Sequence, residues 1–504
     1  MKKRILLACI LFAIPLWAAS QKQDSEKPVL TEIGRLNLAE EGGAEIAAYL
    51  PAAKKLLIAS GEEELLTVDL SDPAAPKLAG KKKFSGNVAS VAVHGNLVAV
   101  PVMGNPSTAA GKIELFRWND SLELIQDYPI CAGADMVVFT PDGKMILAAC
   151  EGMAEAGIDP PGEIALVDIT AGADKASVSI LGFQGIDSAK AVSSGVRLSG
   201  PGSFTQQLEP EYITVEPNGK WAWVSLQENN ALARLDLKKK KADALLPLGT
   251  LDRSLPGNGL DYQNDGSIQI NNAPLLGLRQ PDGIAVLQKK NRYFLFTANE
   301  GAARKTDTWK DETKIEKIMA EKKSDPQIFS DSVIQSLKKV TLSRVEGCDT
   351  NAHGLCRAFY TFGTRSMSIF DGMSGKLLFD SGDQIERLLA RKTPEKFNRN
   401  GKKETGKTDS RSKDKGAEPE NVTLGNVRGK EYAFLGLERM GGIVVFNVSN
   451  PEKPILADYF LNEQDRGPEG ILFVPEKESP LAGHSLLIVC YEYSGTLAVY
   501  QIAP

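Results

Sequence analysis

The chain has 504 residues, of which 42% are hydrophobic and 24% charged, values typical of globular proteins rather than disordered or fibrous ones. Its net charge of −5 argues against nucleic acid as the main partner. It has three histidines, His94, His353 and His484, too few for a multi-histidine zinc site or for a catalytic site that needs several histidines.

The N-terminus has the pattern of a secretion signal. Lys2–Arg4 form a positive region, Ile5–Trp17 an apolar core, and Ala18–Ser20 offer small residues for cleavage before Gln21. The core is too short to span a bilayer comfortably, and no later run is long enough for a membrane helix. We therefore predict a signal peptide over 1–20 and, over 21–504, a single exported domain that is periplasmic or extracellular.

Six cysteines accompany this signal. Cys9 lies within it, and a lipoprotein interpretation there is disfavoured because almost no apolar core precedes the cysteine. Five remain, an odd number, so at least one stays unpaired within the monomer. Cys348 and Cys356 bracket a short loop and are the favoured disulfide. Cys131 and Cys150 fall in one repeat unit, where a second disulfide and two buried apolar side chains are equally good interpretations.

The stretch Glu209–Leu237 reads as strand, turn, strand, loop, strand, with Pro217–Gly219 as the turn signal. Variants of it recur along the chain at about 40-residue spacing, which indicates a propeller or a solenoid. In chain order, a lone strand at Val29–Leu38 precedes eight such units. The units span Glu45–Leu70, Val88–Phe116, Met136–Ile169, Glu209–Leu237, Gln280–Asn299, Val340–Asp380, Val422–Val448 and Gly470–Ile502.

Two insertions interrupt the later units. Residues 302–339 are rich in Lys and Glu and helix-like, whereas 391–415 are basic without an apolar period. We interpret 391–415 as a mobile, solvated charge run, in preference to an anion-binding segment.

The last unit has three strands, so the lone N-terminal strand is expected to supply its fourth. Such closure removes exposed edges, whereas a solenoid would need capping repeats. The predicted fold is therefore all-β, a closed β-propeller with eight units, or seven blades if the damaged fifth and sixth units merge.

Acidic residues recur at the same place in six of the eight units, one just before the first strand and one just after the second. A strand and its return bring both acids to the same end, so we expect them to gather near one mouth of the central channel. The pairs are Glu45 and Glu62, Asp135 and Glu151, Glu211 and Glu228, Asp282 and Glu300, Glu420 and Glu438, and Glu469 and Glu492.

So many carboxylates would repel one another without compensation. Ca²⁺ is the candidate cofactor, since it accepts six to eight oxygens from such clusters. Arg304, Arg365 and Arg439 are alternative sources of neutralising charge. A third alternative, the favoured one, is structural: the acids accept backbone N–H bonds and hold the loops.

Several motifs resemble the choice-of-anchor I domain family, exported bacterial β-propellers similar to animal mesenchyme-specific cell-surface glycoproteins. The likeness covers nearly all of residues 21–504. It rests on the stretch from Glu209 to Leu237 and on the motifs Gln280–Asp282, Ala298–Gly301, Phe362–Ile369, Phe379–Asp383, Ser410–Glu420, Gly436–Gly442 and Gly467–Gly470.

The sequence also departs from that family pattern. Ala302 and Ala303 stand where the family usually has an aspartate, and the family's C-terminal anchor is not seen after the last strand, which favours a periplasmic or released form. The loop 346–356 stands where the family often has a calcium-like loop. We expect the Cys348–Cys356 disulfide to replace the metal there.

We interpret the chain as a scaffold that binds an unknown protein, glycan or small molecule. The alternative, suggested by phosphatase and phytase labels in the family, is a metal-dependent phosphoesterase. Its catalytic candidates are Glu420, Glu438, Arg365 and Arg439. The candidate ligand-binding residues are Glu209, Glu211, Glu228, Asp282, Glu300, Glu418 and Glu469, and the candidate metal ligands are Glu211, Glu300, Glu420, Glu438 and Glu469.

Overall fold

A computed structural model of the chain describes residues 28–39, 42–321, 323–348, 355–403 and 405–503. The predicted signal peptide lies outside these residues, as does part of the loop 346–356. Within the described part, no helix is long and apolar enough to cross a membrane.

Strands dominate the described residues, which confirms the all-β prediction, and they form the four-stranded antiparallel sheets of a β-propeller. After β1 (Val29–Asn37), the first sheet contains β2 (Ala47–Leu50), β3 (Lys55–Ala59), β4 (Glu64–Asp69) and β5 (Lys77–Lys83). The second contains β6 (Ala92–His94), β7 (Leu97–Val102), β8 (Ala110–Trp118) and β9 (Leu122–Ala132). The third contains β10 (Ala134–Phe139), β11 (Met145–Cys150), β12 (Glu163–Asp168) and β13 (Ser177–Leu181).

Helix α1 (Ser188–Ser194) and a 3-10 turn (Thr205–Gln207) lead into the fourth sheet. That sheet contains β14 (Pro210–Val215), β15 (Trp221–Leu226), β16 (Ala231–Asp236) and β17 (Lys241–Pro247). At the predicted turn, Gly219 has a φ of +66°, and the Glu216 carboxylate accepts hydrogen bonds from the backbone N–H groups of Asn218 and Lys220, both at 2.8 Å. The hairpin therefore forms where the turn residues predict it.

The fifth sheet is built from two distant parts of the chain. Two short strands, β18 (Thr250–Asp252) and β19 (Leu276–Leu278), come first in this part of the chain. The fifth sheet then takes β20 (Ile284–Lys289) and β21 (Arg292–Asn299) from before a long insertion, and β27 (Ser366–Asp371) and β28 (Leu377–Asp380) from after it. The sheet itself has the order β20, β21, β27, β28. The insertion contains β22 (Glu312–Lys314), α2 (Ile315–Glu321), β23 (Lys323–Ser324), α3 (Asp331–Leu337), β24 (Thr341–Ser343), β25 (Leu355–Cys356) and β26 (Tyr360–Thr361).

The insertion changes the prediction for units five and six, because strands assigned to both share this one sheet. The predicted strands at Val340–Val345 and Ala358–Phe362 lie outside it. β24 pairs with β22, and β26 pairs with β19. They pack on a small core of their own that includes Ile315, Phe329 and Phe359.

Helix α4 (Gln384–Lys392) and a 3-10 turn (Pro394–Lys396) precede the sixth sheet, which contains β29 (Pro419–Val427), β30 (Lys430–Leu437), β31 (Ile443–Asn447) and β32 (Ile455–Phe460). The seventh contains β33 (Pro468–Val474), β34 (Ser485–Tyr491) and β35 (Thr496–Ala503), with a 3-10 turn (Glu492–Ser494) before β35. β1 joins it as the outermost strand, antiparallel to β35.

The segment 391–415 differs from the mobile charge run that its composition predicts. Phe397, Asn398 and Asp409 are fully buried. Asn398 Nδ2 donates to Ser412 Oγ at 2.9 Å, and Asp409 Oδ2 accepts from the backbone N–H of Gly266 at 2.8 Å. Buried polar partners fix this segment although its sequence has no apolar periodicity.

Neighbouring sheets meet through their first strands. Each first strand contacts the first strand of the next sheet along the chain, in the order β2, β6, β10, β14, β20, β29 and β33. β33, in the seventh sheet, also contacts β2 in the first. Side chains also join the sheets, as where Trp223 Nε1 of the fourth donates to the Gly372 carbonyl beside the fifth at 2.8 Å.

The structure joins Cys131 to Cys150 and Cys348 to Cys356 as disulfides, while Cys490 is a free thiol on β34. Its side chain has no exposed surface, and burial raises the pKa of the thiol.

Iodoacetamide at pH 8 should therefore leave Cys490 unlabelled in the native protein and label it alone after unfolding without reductant. Peptide mapping by mass spectrometry would measure both states, with a reduced and unfolded sample as the control in which all five cysteines after Gln21 react. Labelling of any of the other four before reduction would contradict the pairing.

Candidate functional site

In four sheets a proline followed by an acid stands at or just before the start of the first strand: Pro210 and Glu211, Pro281 and Asp282, Pro419 and Glu420, and Pro468 and Glu469. In three of them the register of the first hairpin shifts across the acid, and the same shift occurs at Asp135. A bulge re-aims the side chain that it carries. The register shift therefore changes the direction in which these acidic side chains point, compared with the strict alternation of a regular strand.

Eleven of the predicted carboxylates lie close enough to influence one another electrostatically, and we call this cluster the acidic centre. It draws on every sheet except the second, which carries no such pair. Its members are Glu45, Asp135, Glu151, Glu211, Glu228, Asp282, Glu300, Glu420, Glu438, Glu469 and Glu492. Glu62, by contrast, is exposed and lies outside it.

Two groups of three carboxylates come closest together. Oxygens of Asp282, Glu420 and Glu469 all lie within 4.8 Å of one another, as do oxygens of Glu300, Glu420 and Glu438. Glu420 belongs to both groups. Oxygens bound to Ca²⁺ at about 2.4 Å are themselves up to about 4.8 Å apart, so either spacing fits a shared cation.

Basic side chains compensate one of these groups. Lys415 forms ion pairs with Glu300 and with Glu418, the latter at 3.1 Å. Arg439 Nη2 lies 3.1 Å from Glu438 Oε1, and its Nε lies 3.1 Å from Glu418 Oε2. Ion pairs with Lys415 and Arg439 thus already offset negative charge in this group, although burial and neighbouring acids still raise the pKa of Glu438.

Glu418 shows the strength of this compensation. Its side chain is fully buried, and burial opposes its ionisation. The charges of Lys415, Arg411 and Arg439 outweigh that effect and lower the pKa of Glu418 to about 2. Glu418 therefore anchors the basic residues and is not free to bind a ligand.

The other group lacks such compensation among the described residues. Asp282, Glu420 and Glu469 form no ion pair with a basic side chain, and they line a small cavity together with Glu45 and Asp135. The cavity volume of about 70 Å³ leaves room for a cation with water ligands.

Two oxygens of the cavity lining, Glu420 Oε2 and Asn421 Oδ1, are buried without a hydrogen-bond partner. The same holds for two oxygens elsewhere in the acidic centre, Glu211 Oε2 and Glu228 Oε2. A buried oxygen without a partner is costly. The donor set therefore fits a hard cation such as Ca²⁺, which binds carboxylate and amide oxygens.

At the members of the acidic centre whose pKa is raised, burial is the main cause, and neighbouring carboxylates add to it at most of these positions. Burial and nearby acids raise the pKa of Glu45 to about 8 and that of Asp282 to about 7. The pKa values of Glu211, Glu420 and Glu469 are raised well above their usual range. Oxygens of Asp282 and Glu420 lie within 4.8 Å of each other, and both carboxyls have raised pKa values, which favours protonation of this pair.

The remaining predicted arginines lie apart from this cavity. Arg365 Nη1 contacts Glu386 Oε1 at 2.7 Å, and its Nη2 donates to the Ser412 carbonyl at 2.6 Å. Arg304 Nε lies 2.9 Å from Glu209 Oε1. Of the three predicted arginines, Arg439 alone contacts a member of the acidic centre.

Sequence reasoning missed Lys415, Asn421 and Tyr493. Tyr493 donates to Glu438, and Asn421 follows Glu420 directly. The repeated first-strand pattern could have drawn attention to Asn421. Lys415 pairs with Glu418 nearby in the chain, but its partner in the acidic centre, Glu300, is 115 positions away, so nothing local marks it as part of that centre.

A family model described as the choice-of-anchor I domain matches residues 45–451. The chain belongs to this family. That confirms the family predicted from the motifs, since the matched residues cover most of the described sheets.

Two relatives of this choice-of-anchor I protein share part of its length. A mesenchyme-specific cell surface glycoprotein of Strongylocentrotus purpuratus is 28% identical over 287 residues, 50% of this chain and 36% of that protein. Gigasin-3a of Magallana gigas is 26% identical over 203 residues, 36% of this chain and 69% of that protein. The chain thus spans little more than a third of the glycoprotein.

Solved structures align over most of the chain at low identity. The β-propeller domain of Myceliophteria thermophila Cps50 (Swd1) has a TM-score of 0.48 and 9% identity, covering 94% of this chain and 100% of that one. Kuenenia stuttgartiensis hydrazine synthase has a TM-score of 0.47 and 11% identity, covering 92% and 96%.

The raised pKa values predict how stability depends on pH without metal. These acids bind protons more tightly in the folded chain than in the unfolded one, so the free energy of unfolding should fall as pH rises from about 5 to about 8. The lowered pKa of Glu418 acts only below this window. In EDTA the melting temperature should drop by roughly 5 °C or more across it.

Glu469→Gln removes one of the buried charges and should weaken this pH dependence, whereas the exposed Glu62→Gln should leave it unchanged. Differential scanning calorimetry at four or five pH values would measure all three proteins. A melting temperature that rises from pH 5 to pH 8 in EDTA would show that the cluster is ionised and compensated.

Proposed function

We propose that this protein is an exported, closed seven-bladed β-propeller that acts as a ligand-binding scaffold and holds Ca²⁺ in its acidic centre. The seven four-stranded sheets of the described residues and the contact of β33 with β2 support the ring. The pairing of β1 with β35 supports its closure by the N-terminal strand.

Three features support export. The first is the signal-like pattern of residues 1–20. The second is the pair of disulfides, which persist in oxidising compartments. The third is the similarity to a cell surface glycoprotein.

The observation that carries the calcium proposal is the group of Asp282, Glu420 and Glu469. Its oxygens converge within 4.8 Å with no basic partner among the described residues, and Glu420 Oε2 is buried without a hydrogen bond. A cation there would take the place of the protons that the raised pKa values of Asp282 and Glu420 favour. The second group, Glu300, Glu420 and Glu438, is a poorer site because Lys415 and Arg439 already offset negative charge there.

The same geometry favours binding over phosphoester hydrolysis. In the phosphoesterase alternative, Arg365 or Arg439 would hold a phosphoryl oxygen. Arg365 donates hydrogen bonds to Glu386 and to backbone carbonyls, and Arg439 forms ion pairs with Glu418 and Glu438. We therefore propose a role in ligand binding, with the cation organising the acidic centre.

Calcium titration of EDTA-treated protein should give saturable heat by calorimetry and raise the melting temperature by roughly 2 °C or more. Glu469→Gln should weaken Ca²⁺ binding at least about tenfold, because it removes one charged ligand. Glu438→Gln, the same change in the second group, should bind Ca²⁺ nearly as well as the wild type. Binding should also release protons, seen as a heat that varies with the buffer.

Unchanged affinity in Glu469→Gln would overturn this site, and loss confined to Glu438→Gln would move it to the second group. A parallel assay with p-nitrophenyl phosphate tests the alternative function. Calcium-dependent turnover that is lost in Glu420→Gln would establish phosphoester hydrolysis at the acidic centre. We expect no such turnover.

A further inference from the structure

A second site lies in a cleft of about 880 Å³ beside the seventh sheet. Residues from β1, the segment after α4, and the loops flanking β33 and β35 line it, and we call it the basic cleft. Its polar lining includes Arg35, Lys396, Arg399, Glu463, Arg466 and Ser494. Four basic side chains face one carboxylate there, the reverse of the balance in the acidic centre.

Arg399 is the key residue of the basic cleft. Its side chain lines the cleft, the residue is only 8% exposed, and its Nε and Nη2 atoms are buried without a hydrogen-bond partner. Burial lowers the pKa of its guanidinium, and Arg466 lowers it further. The two carboxylates that raise this pKa, those of Glu463 and Glu395, are both exposed.

The surrounding basic side chains differ in whether a carboxylate already balances their charge. Arg35 is fully engaged by Glu32 and Asp465. Arg466 donates only to backbone carbonyls, those of Lys402 at 3.0 Å and Tyr493 at 3.2 Å. Its charge, like that of Arg399, is not balanced by a carboxylate among the described residues.

Lys396 completes the group. Its Nζ lies 3.0 Å from Glu463 Oε1, yet it makes no hydrogen bond, and the Glu463 side chain is 79% exposed. A ligand could displace this exposed carboxylate at small cost, because surface ion pairs contribute little.

The position of Arg399 is fixed by its neighbours. Phe397 and Asn398 are fully buried, and Asn398 Nδ2 donates to Glu386 Oε1 at 3.0 Å. The guanidinium is therefore held in place and desolvated before a ligand arrives. A buried guanidinium without acceptors is costly, and the cost is recovered when a ligand supplies them.

We propose that the basic cleft binds a small ligand through an oxyanion group, a carboxylate, sulfate or phosphate. The planar guanidinium fork of Arg399 matches the paired oxygens of all three groups. Arg466 and Lys396 add positive charge, and the Ser494 hydroxyl and nearby amide side chains offer hydrogen bonds to the rest of the ligand. The volume suits a molecule of one or two sugar rings.

This site is independent of the calcium proposal, because the basic cleft contains no carboxylate of the acidic centre. It should bind its ligand in EDTA. Failure of one proposal therefore leaves the other standing.

The test is calorimetry on the full exported chain in EDTA at low salt, with inorganic phosphate, inorganic sulfate, glucuronate and glucose as separate probes. We expect binding of at least one anion and none of glucose. Arg399→Gln should weaken the anion at least about tenfold, the loss expected for a charge-assisted hydrogen bond in a buried site. Arg391→Gln is the matched control, since Arg391 is exposed on α4, and it should bind like the wild type.

If Arg399→Gln has a lowered melting temperature, Arg466→Gln provides the second variant, and it too should weaken the anion. Tighter binding of glucuronate than of both inorganic ions would assign a sugar acid, and the opposite order a phosphate or sulfate ester. The proposal is overturned if none of the three anions binds at 10 mM, or if Arg399→Gln and Arg466→Gln both bind as well as Arg391→Gln.

Discussion

The burial of carboxylates around one centre is the constraint on which the rest of this structure depends. Like charges brought together away from water must be protonated, paired with basic groups or shared with a cation. The protein uses basic groups on one side only, where Lys415, Arg411 and Arg439 converge on Glu418. On the other side, Asp282, Glu420 and Glu469 are left to protons or to an ion.

The segment between α4 and β29 serves both sites. It supplies Lys415 to the acidic centre and Arg399 to the basic cleft, and its buried residues fix the two side chains relative to each other. A solvated loop would hold neither group in place. Because this segment is packed into the protein and is not the mobile loop that its composition predicts, two of its basic side chains are held at defined positions.

Much of this arrangement was predictable from sequence because it is local. Alternating strands, turns such as Pro217–Gly219 and the repeated pairs of acids depend on residues close in the chain, and eleven of the twelve carboxylates in those pairs belong to the acidic centre. Glu62 lies outside the acidic centre because it follows the end of β3 by three residues, whereas Glu151, its counterpart in the third sheet, follows β11 directly. Those extra residues carry its side chain out to solvent.

The features that the sequence did not predict depend on contacts between segments that are distant in the chain. An insertion that opens the hairpin between β21 and β27 cannot be distinguished from a unit boundary by periodicity, which explains the extra unit in the sequence count. Arg365 shows the same limit, since its partner Glu386 lies on a helix outside the repeats. Charge type predicted that arginines would compensate acids, but only the fold determines which acid each one meets.

In the calcium site that we propose, proton binding and cation binding would compete for the same oxygens, and this competition would limit the affinity. Ca²⁺ would have to displace a proton from groups such as Asp282, with a pKa of about 7, so its apparent affinity would be reduced at neutral pH. Extracellular calcium modules work at dissociation constants of about 10⁻⁴ to 10⁻³ M, where the ion is abundant and tight binding is unnecessary. A weak, proton-coupled site is therefore suited to an exported protein, whereas the same carboxylates would remain protonated in a compartment with little free calcium.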